Sequence, residues 1–196
     1  MPTRVVIAED EAIIRLDLKE TLEEEGYEVV AETGRGDEAV RLVKEHQPDI
    51  AILDIKMPGL DGLSAAREIA GERRAAVLIL TAFSQRDLIE RARDAGALAY
   101  LVKPFQKADL LPALEVALGR FKEMKALHDQ ATSLEEQLET RKTVDRAKGK
   151  LMDDDGLSEG AAFSFIQKTA MRERRTMRSV AEAVIDGSLA PGGTAG

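Results

Sequence analysis

The hydrophobic positions of the first hundred or so residues alternate between two periods. Short, nearly continuous apolar runs at Arg4–Ala8, Glu28–Ala31, Asp49–Leu53, Ala76–Leu80 and Leu98–Val102 read as strands. Between them, Ala12–Glu25, Asp37–His46, Leu63–Ala70 and Arg86–Ala95 carry helical spacing, and another helix opens near Lys107. In the first helix, Ile13, Leu16 and Leu22 are expected to face inward, with Gly26 just past its end. Five strand-then-helix units in order predict an α/β fold, with a parallel sheet covered on both faces.

Beyond Lys107 no further strand is predicted. Leu114, Leu118, Phe121, Met124, Leu127, Ala131, Leu134 and Leu138 follow in steps of three and four, a heptad-like helix with Gly119 and Gly149 as interruptions. A helix of that length either pairs with a second copy or folds back on its own C-terminal helices, and the periodicity favours neither. Two shorter helices are expected next. Ser158 caps one, with Ala162, Phe163, Ile166 and Ala170 on its inner face. Thr176 caps the other, which buries Met177, Val180, Ala181, Val184 and Ile185. The Gly/Ala/Pro-rich tail from Gly187 is expected to be disordered.

Composition narrows the classes. A chain of 196 residues is one large domain or two small ones. An apolar fraction of 44% beside 33% charged residues excludes wholesale disorder. No apolar run reaches the roughly 18 residues of a membrane span, and the start, Met1-Pro2-Thr3-Arg4, lacks the pattern of a signal peptide. The absence of cysteine removes disulfides, thiolate metal sites and a cysteine nucleophile. A cytoplasmic protein is expected. The net charge of −8 argues against a nucleic-acid binder, yet it is unevenly spread. Residues 1–119 hold 15 basic and 23 acidic residues, whereas 140–180 hold 10 basic and 6 acidic.

Candidate chemistry sits where strands end. Glu9 and Asp10 follow the first strand, and Asp54 the third. With strand order 2-1-3-4-5 those two strands are neighbours, and the three carboxylates converge on the binding edge of the sheet. Three such groups cannot all stay ionised without a cation. An all-oxygen site with few protein ligands suits Mg²⁺. Thr81 and Lys103 end the fourth and fifth strands at the same edge, so an anionic phosphoryl group would meet a metal, a hydroxyl and an ammonium. A carboxylate there can act as nucleophile toward it. Taken singly, each residue reads as a solvated loop charge. Their joint placement does not.

These residues stand in the motifs Ala8-Glu9-Asp10-Glu11, Asp54-Ile55-Lys56-Met57-Pro58-Gly59, Thr81-Ala82 and Lys103-Pro104-Phe105. Residues 4 to about 120 resemble the receiver domain of two-component response regulators, a five-stranded parallel, flavodoxin-like fold. The resemblance implies Asp54 as phosphoacceptor and Asp10, Asp54 and the Lys56 carbonyl on Mg²⁺. Glu9, in place of the commoner Asp, would act through water. It implies further that Thr81 and Tyr100 shift on phosphorylation, that small Ala82 leaves the group accessible, and that the Lys103-Pro104 bond is cis. Such a domain promotes its own phosphorylation by a partner kinase but is not a turnover enzyme. Two decoys are set aside. Gly34-x-Gly36-x-x-Ala39 mimics a dinucleotide fingerprint, but it follows the second strand and carries Asp37. His46 and His128 lack spaced partners and read as exposed helix residues.

The basic region begins at Arg141. Arg141 and Lys148 share a helix face, with Leu138, Val144, Leu151 and Met152 on the apolar side. A second cluster, Arg172, Arg174, Arg175 and Arg178, lies between the last two helices, and the two together form a candidate phosphate-binding patch. On composition alone the bland reading, a solvated charged helix, is the stronger. No aromatic stacking set is expected, since Phe163 and Phe165 read as packing residues.

Val144-x-x-Ala147-Lys148-Gly149-x-Leu151-Met152, Gly156-Leu157-Ser158-Glu159, Ala162-Phe163, Ala170 and Val180-Ala181 shift that balance. Residues 128–186 resemble an ANTAR output domain, a family that binds RNA hairpins and promotes transcription antitermination. The small residues Ala147 and Gly149 would let a helix or RNA come close to Lys148. Asp153-Asp154-Asp155 departs from that picture, because its charge opposes the helix dipole and nearby phosphate.

The expected organisation is a receiver over 1–119, a helical linker over 120–140, a three-helix RNA-binding domain over 141–186 and the tail. The site residues expected on RNA are Arg141, Arg146, Lys148, Gly149, Arg172, Arg174 and Arg175. The implied partners are a cognate sensor histidine kinase, RNA hairpins in nascent transcripts, a second copy of the chain and RNA polymerase, with no membrane. A DNA-binding response regulator and a dimerising module without nucleic acid are the alternatives.

Overall fold

In a computed structural model of the chain, residues 1–82 and 86–191 are described. They form two compact units, one over Met1–Ala126 and one beginning at Leu127.

The first unit is a five-stranded parallel sheet. Its strands are β1 (Arg4–Ala8), β2 (Glu28–Thr33), β3 (Ile50–Asp54), β4 (Ala76–Thr81) and β5 (Ala99–Val102), in the order β2-β1-β3-β4-β5. The helices are α1 (Ala12–Glu24), α2 (Gly36–His46), α3 (Gly62–Gly71), α4 (Arg86–Asp94) and α5 (Lys107–Asp155). The predicted elements recur within about two residues. β2 runs two residues further, to Thr33, because its end pairs with Ala8 of β1.

β1, β3 and β4 are buried along nearly their whole length, as their near-continuous apolar sequences require when helices cover both faces. Alternate residues feed two cores. Val6, Ala51, Leu53, Val77 and Ile79 pack with α2 and α3. Val5, Ile7, Ile50, Ile52 and Leu78 pack with Leu18 and Leu22 of α1 and with Leu110 and Leu114 of α5. Asp61 caps α3, its carboxylate accepting from the Leu63 and Ser64 amides.

One helix face departs from the expectation. The inward residues of α1 are Leu18 and Leu22, four apart, while Ile13 and Leu16 are 84% and 56% exposed. The apolar spacing of Ile13, Ile14, Leu16, Leu18 and Leu22 allows more than one stripe, and the sheet selects the pair nearest the helix's C-terminal half. His46 is half-buried rather than exposed, and its carbonyl accepts from Arg4 Nη1 at 2.6 Å. Gly36, half of the decoy fingerprint, serves packing, since a Cβ there would lie 1.9 Å from the Leu60 carbonyl oxygen.

α5 continues past Pro112 and both of its interrupting glycines. Its residues Leu110, Leu114, Ala117 and Leu118 lie in the sheet unit's core. Met124, Leu127, Leu134 and Leu138 are exposed, so the stripe is not covered by a fold-back onto the described residues.

The second unit has its own small core. Val144, Ala147 and Leu151 of α5 meet Ala162, Ile166 and Ala170 of α6 (Glu159–Glu173) and Val180, Ala181 and Val184 of α7 (Met177–Ile185). Leu138 and Met152, expected on this apolar side, are exposed. Ser158 caps α6 by accepting from the Ala161 amide, and Thr176 caps α7 by accepting from Ser179. Phe163, expected inside, is 42% exposed, because the four-residue steps of Ala162, Ile166 and Ala170 already fill the inner face. Gly187–Leu189, expected in the disordered tail, is held. The Leu189 amide donates to the Ala183 carbonyl at 3.0 Å, and its side chain packs on the core. The tail expectation for residues 192–196 lies outside the described residues.

The face of α1 is directly testable. Leu18→Ala should destabilise the sheet unit by about 2–5 kcal/mol, and Leu16→Ala should change it by less than about 0.5 kcal/mol. Amide exchange of β1 and β3 under mild denaturant reads both. The opposite ranking would mean the helix packs on its other face.

Candidate functional site: an acidic pocket at the sheet edge and a basic helical unit

β1 and β3 are adjacent, with Ala8 opposite Leu53, so the residues that follow them are forced together. Glu9, Asp10 and Asp54 each bring a carboxylate oxygen within 4.8 Å of the others. Glu9 and Asp54 are buried, whereas Asp10 is exposed. Glu9 is fixed from several sides. Its amide donates to the Thr33 carbonyl at 2.9 Å, its carbonyl accepts from Arg15 Nη1 at 2.6 Å, and its Oε1 accepts from the Glu11 amide at 3.2 Å. Below Asp54 the backbone is packed closely, since a Cβ on Gly62 would lie 1.9 Å from the Asp54 carbonyl oxygen.

Lys103 reaches this cluster from the end of β5, two strands from β3. Its amide donates to the Thr81 carbonyl at 2.7 Å, and the Lys103-Pro104 bond is cis. Its ammonium lies 2.5 Å from Glu9 Oε2 and 3.3 Å from Asp54 Oδ1. The first contact is an attraction of charges rather than an aligned hydrogen bond, for Glu9 Oε2 is buried without a hydrogen-bond partner. The extra methylene of Glu9, relative to an aspartate, carries its carboxylate toward that ammonium.

The charges are unbalanced. Burial pushes the Asp54 carboxyl above its usual range, against the pull of Lys103. Burial also pushes Glu9 up, against its ion pair with Lys103 and with help from the Asp54 charge. Burial works against the Lys103 ammonium, but its ion pair with Glu9 and the Asp54 charge outweigh that and raise its pKa. Three carboxylates against one ammonium leave two negative charges when all are ionised. That excess, the underbonded Glu9 oxygen and the all-oxygen donor set fit a divalent cation such as Mg²⁺, with Glu9, Asp10 and Asp54 as the residues that could hold it.

The other expected receiver residues lie on or just after β3, β4 and β5. Thr81 is buried at the end of β4, Ala82 beside it is exposed, and Tyr100 on β5 is exposed. Lys56 is exposed and lines a groove with Asp10, Met57 and Arg91 of α4. Arg15 and Arg91 went unnoticed in the sequence. Only the folded chain brings these helix residues to the strand ends.

In the helical unit, Arg141 and Lys148 line one concavity. Lys148 is half-buried and bridges two acids, Asp145 at 2.9 Å and Glu159 at 2.8 Å, which hold its ammonium above its usual pKa. Arg172 and Arg175 both pair with Glu173, and Arg175 also donates to the Ser179 carbonyl at 2.8 Å. Arg146 and Arg174 are exposed. Ala147 is buried in the unit's core, but a Cβ on Gly149 would meet nothing within 4 Å, so no packing among the described residues requires that glycine.

Residues 5–115 match the response regulator receiver domain, and residues 132–185 match the ANTAR domain. The chain belongs to the response regulators: it is a PdtaR-type regulator that joins a receiver to an ANTAR output domain. It is 58% identical over 186 residues to the transcriptional regulatory protein PdtaR of Mycobacterium tuberculosis, covering 95% of this chain and 91% of that one. The chemotaxis protein CheY of Bacillus subtilis is 39% identical over 120 residues, 61% of this chain and all of CheY. Among solved structures, the receiver domain of the response regulator NarL from M. tuberculosis superimposes with a TM-score of 0.58 at 28% identity, covering 60% of this chain and 97% of that one. CheY in the CheX-CheY-BeF3-Mg complex of Borrelia burgdorferi gives 0.56 at 28% identity, covering 58% and 87%. Receivers are signalling domains rather than turnover enzymes. Among the described residues, no helix is long and apolar enough to cross a membrane.

Lys103 and a divalent cation bound here would compete for the same carboxylates. Asp10→Asn should weaken Mg²⁺ binding about tenfold or more, and Lys103→Met should strengthen it. A magnesium titration followed by backbone NMR shifts measures both. Weaker binding by the Lys103 variant would contradict the competition.

Proposed function

We propose that this chain is a phosphorylation-controlled, RNA-binding antiterminator. The observation that carries the reading is the cluster of Asp54, Asp10, Glu9 and Lys103 at the edge of a receiver sheet, on a chain that also holds an ANTAR domain. The functional division is a receiver over 1–119, a linker over 120–140 within α5, and an output domain over 141–186.

Asp54 is the phosphoacceptor. Its carboxylate oxygen attacks the phosphorus of a phosphohistidine on the partner sensor kinase. The N–P bond breaks, an acyl phosphate forms on Asp54, and the imidazole leaves with the N–P electron pair and takes up a proton. Asp10 and Asp54, with the Lys56 carbonyl, would hold Mg²⁺, and Glu9 would act on it through water; when bound, the ion offsets the charge of the carboxylates and the phosphoryl oxygens. Lys103 exchanges its contact with the Asp54 carboxylate for one with the phosphoryl group, and Thr81 donates its hydroxyl there. Exposed Ala82 leaves the entrance open, and Tyr100 follows the shift of Thr81. A change on that face then biases pairing of two copies through Leu127, Leu134 and Leu138, which are exposed at heptad-like spacing.

Arg141, Arg146, Lys148, Arg172, Arg174 and Arg175 contact hairpin RNA, and Gly149 gives the backbone close approach. Lys148 must then release Asp145 or Glu159, or act through them as a positioned charge. This output acts on nascent transcripts, together with RNA polymerase, in the cytoplasm.

Three outcomes are expected. With Mg²⁺ and a phosphodonor, an acid-labile label should appear on the parent protein and be absent from Asp54→Asn. An undiminished label in that variant would refute the assignment. Leu134→Asp with Leu138→Asp should convert self-associating protein to monomer in sedimentation, by placing unpaired charge in an apolar seam. A parent that stays monomeric at high concentration, phosphorylated or not, would contradict the pairing. Lys148→Ala should weaken hairpin binding and lower its salt slope by roughly one unit. Equal binding by the variant, or equal competition by duplex DNA, would contradict RNA recognition here.

A further inference from the structure

The helical unit holds a concavity of about 580 Å³. One face of α5, stepping by three and four residues, contributes Gln137, Thr140, Arg141 and Val144. Phe163 of α6 and Met177 of α7 line it from the unit's other two helices. Phe163 is 42% exposed although its neighbours Ala162 and Ile166 are fully buried. An aromatic ring held in a concavity but not consumed by the core is a free stacking surface.

The lining decides among occupants. Arg141 and Lys148 are balanced by Glu136 and Asp145, and Lys148 is already engaged by Asp145 and Glu159. A phosphate in the concavity would therefore meet no net positive charge, and Lys148 reaches the RNA backbone only by releasing one of its acids. A helix from a second copy would meet Ser133, Gln137 and Thr140 interleaved with Val144, Phe163 and Met177, a mixed surface where a seam needs a continuous apolar one. The leucines suited to such a seam, Leu134 and Leu138, do not line this concavity. A planar, uncharged group with a polar edge fits the arrangement. The ring offers a face, while an amide, a hydroxyl and a guanidinium offer directional bonds.

We infer that this concavity reads one unpaired base of an RNA loop, stacked on Phe163, with Gln137, Thr140 and Arg141 bonding its edge. The inference rests on the RNA-binding reading proposed above and names the part of the RNA that this surface takes. Sequence-specific RNA recognition works largely in this way, through splayed loop bases stacked on aromatic rings and bonded at their edges. The exposed arginines at the α6–α7 junction, Arg174 among them, are left for the backbone.

The test uses the full chain and a pool of RNA stem–loops with randomised loops, from which the tightest hairpin is taken. Each loop nucleotide is replaced in turn by an abasic residue. One position should lose roughly 10- to 100-fold in affinity, the range expected for one stacked base. Phe163→Ala should lose the same factor on the intact hairpin and nothing more on that abasic hairpin, while Phe163→Trp retains binding. Because the ring is partly exposed, circular dichroism and thermal unfolding of the variant should match the parent. If the two losses multiply, or Phe163→Ala binds every hairpin as tightly as the parent, the base pocket is overturned while RNA binding stands. Loss of self-association with RNA binding intact would also overturn it, by assigning the concavity to a second copy. If the parent selects no hairpin, the RNA reading fails, and the base pocket with it.

Discussion

Two buried carboxylates, from the ends of β1 and β3, share one ammonium. That interaction sets the terms for the receiver's chemistry. Glu9 and Asp54 are removed from water by the same burial that gives the sheet its core, so their negative charge must be answered locally. Lys103 answers part of it, at 2.5 Å from one and 3.3 Å from the other. The remainder, together with exposed Asp10, is what a divalent cation and then a phosphoryl group can use. The strand order makes this inevitable: parallel pairing of β1 with β3 puts their carboxyl ends side by side, and the crossover helices keep that edge open.

The strands were legible because burial on both faces leaves little choice of residue. Ala76–Leu80 and Asp49–Leu53 read as strands from composition alone, and the acids after them followed from the topology. Faces of helices were less legible. α1 carries five aliphatic residues between Ile13 and Leu22, and only the position of the sheet decides that Leu18 and Leu22 are inside. The same limit applies to Phe163. Its inner-face expectation rested on apolar character, whereas the packing of α6 is completed by Ala162, Ile166 and Ala170. The ion pair of Lys148 with Glu159 was also beyond reach, since Glu159 lies 11 residues away across a helix end.

The helical unit shows how a small core shapes a surface. Its centre is built largely from alanine and valine, residues that let three helices approach closely. Larger apolar side chains, Leu138, Met152, Phe163 and Met171, are thereby left at the surface. In this account they are not defects of packing. Leu138 belongs to a pairing stripe and Phe163 to a stacking surface, while the basic residues around them are tempered by neighbouring acids such as Glu173 and Asp145. Such tempering lowers the general attraction for phosphate and leaves more of the binding to shape and base contacts.

The central claim is that the state of Asp54 controls RNA binding by the helical unit. The most direct measurement is the affinity of the full chain for a selected RNA hairpin, with Mg²⁺ present, before and after phosphorylation. The account predicts tighter binding after phosphorylation and no change in Asp54→Asn protein given the same treatment. Equal affinity of the phosphorylated and unphosphorylated parent, or the same increase in Asp54→Asn, would contradict it.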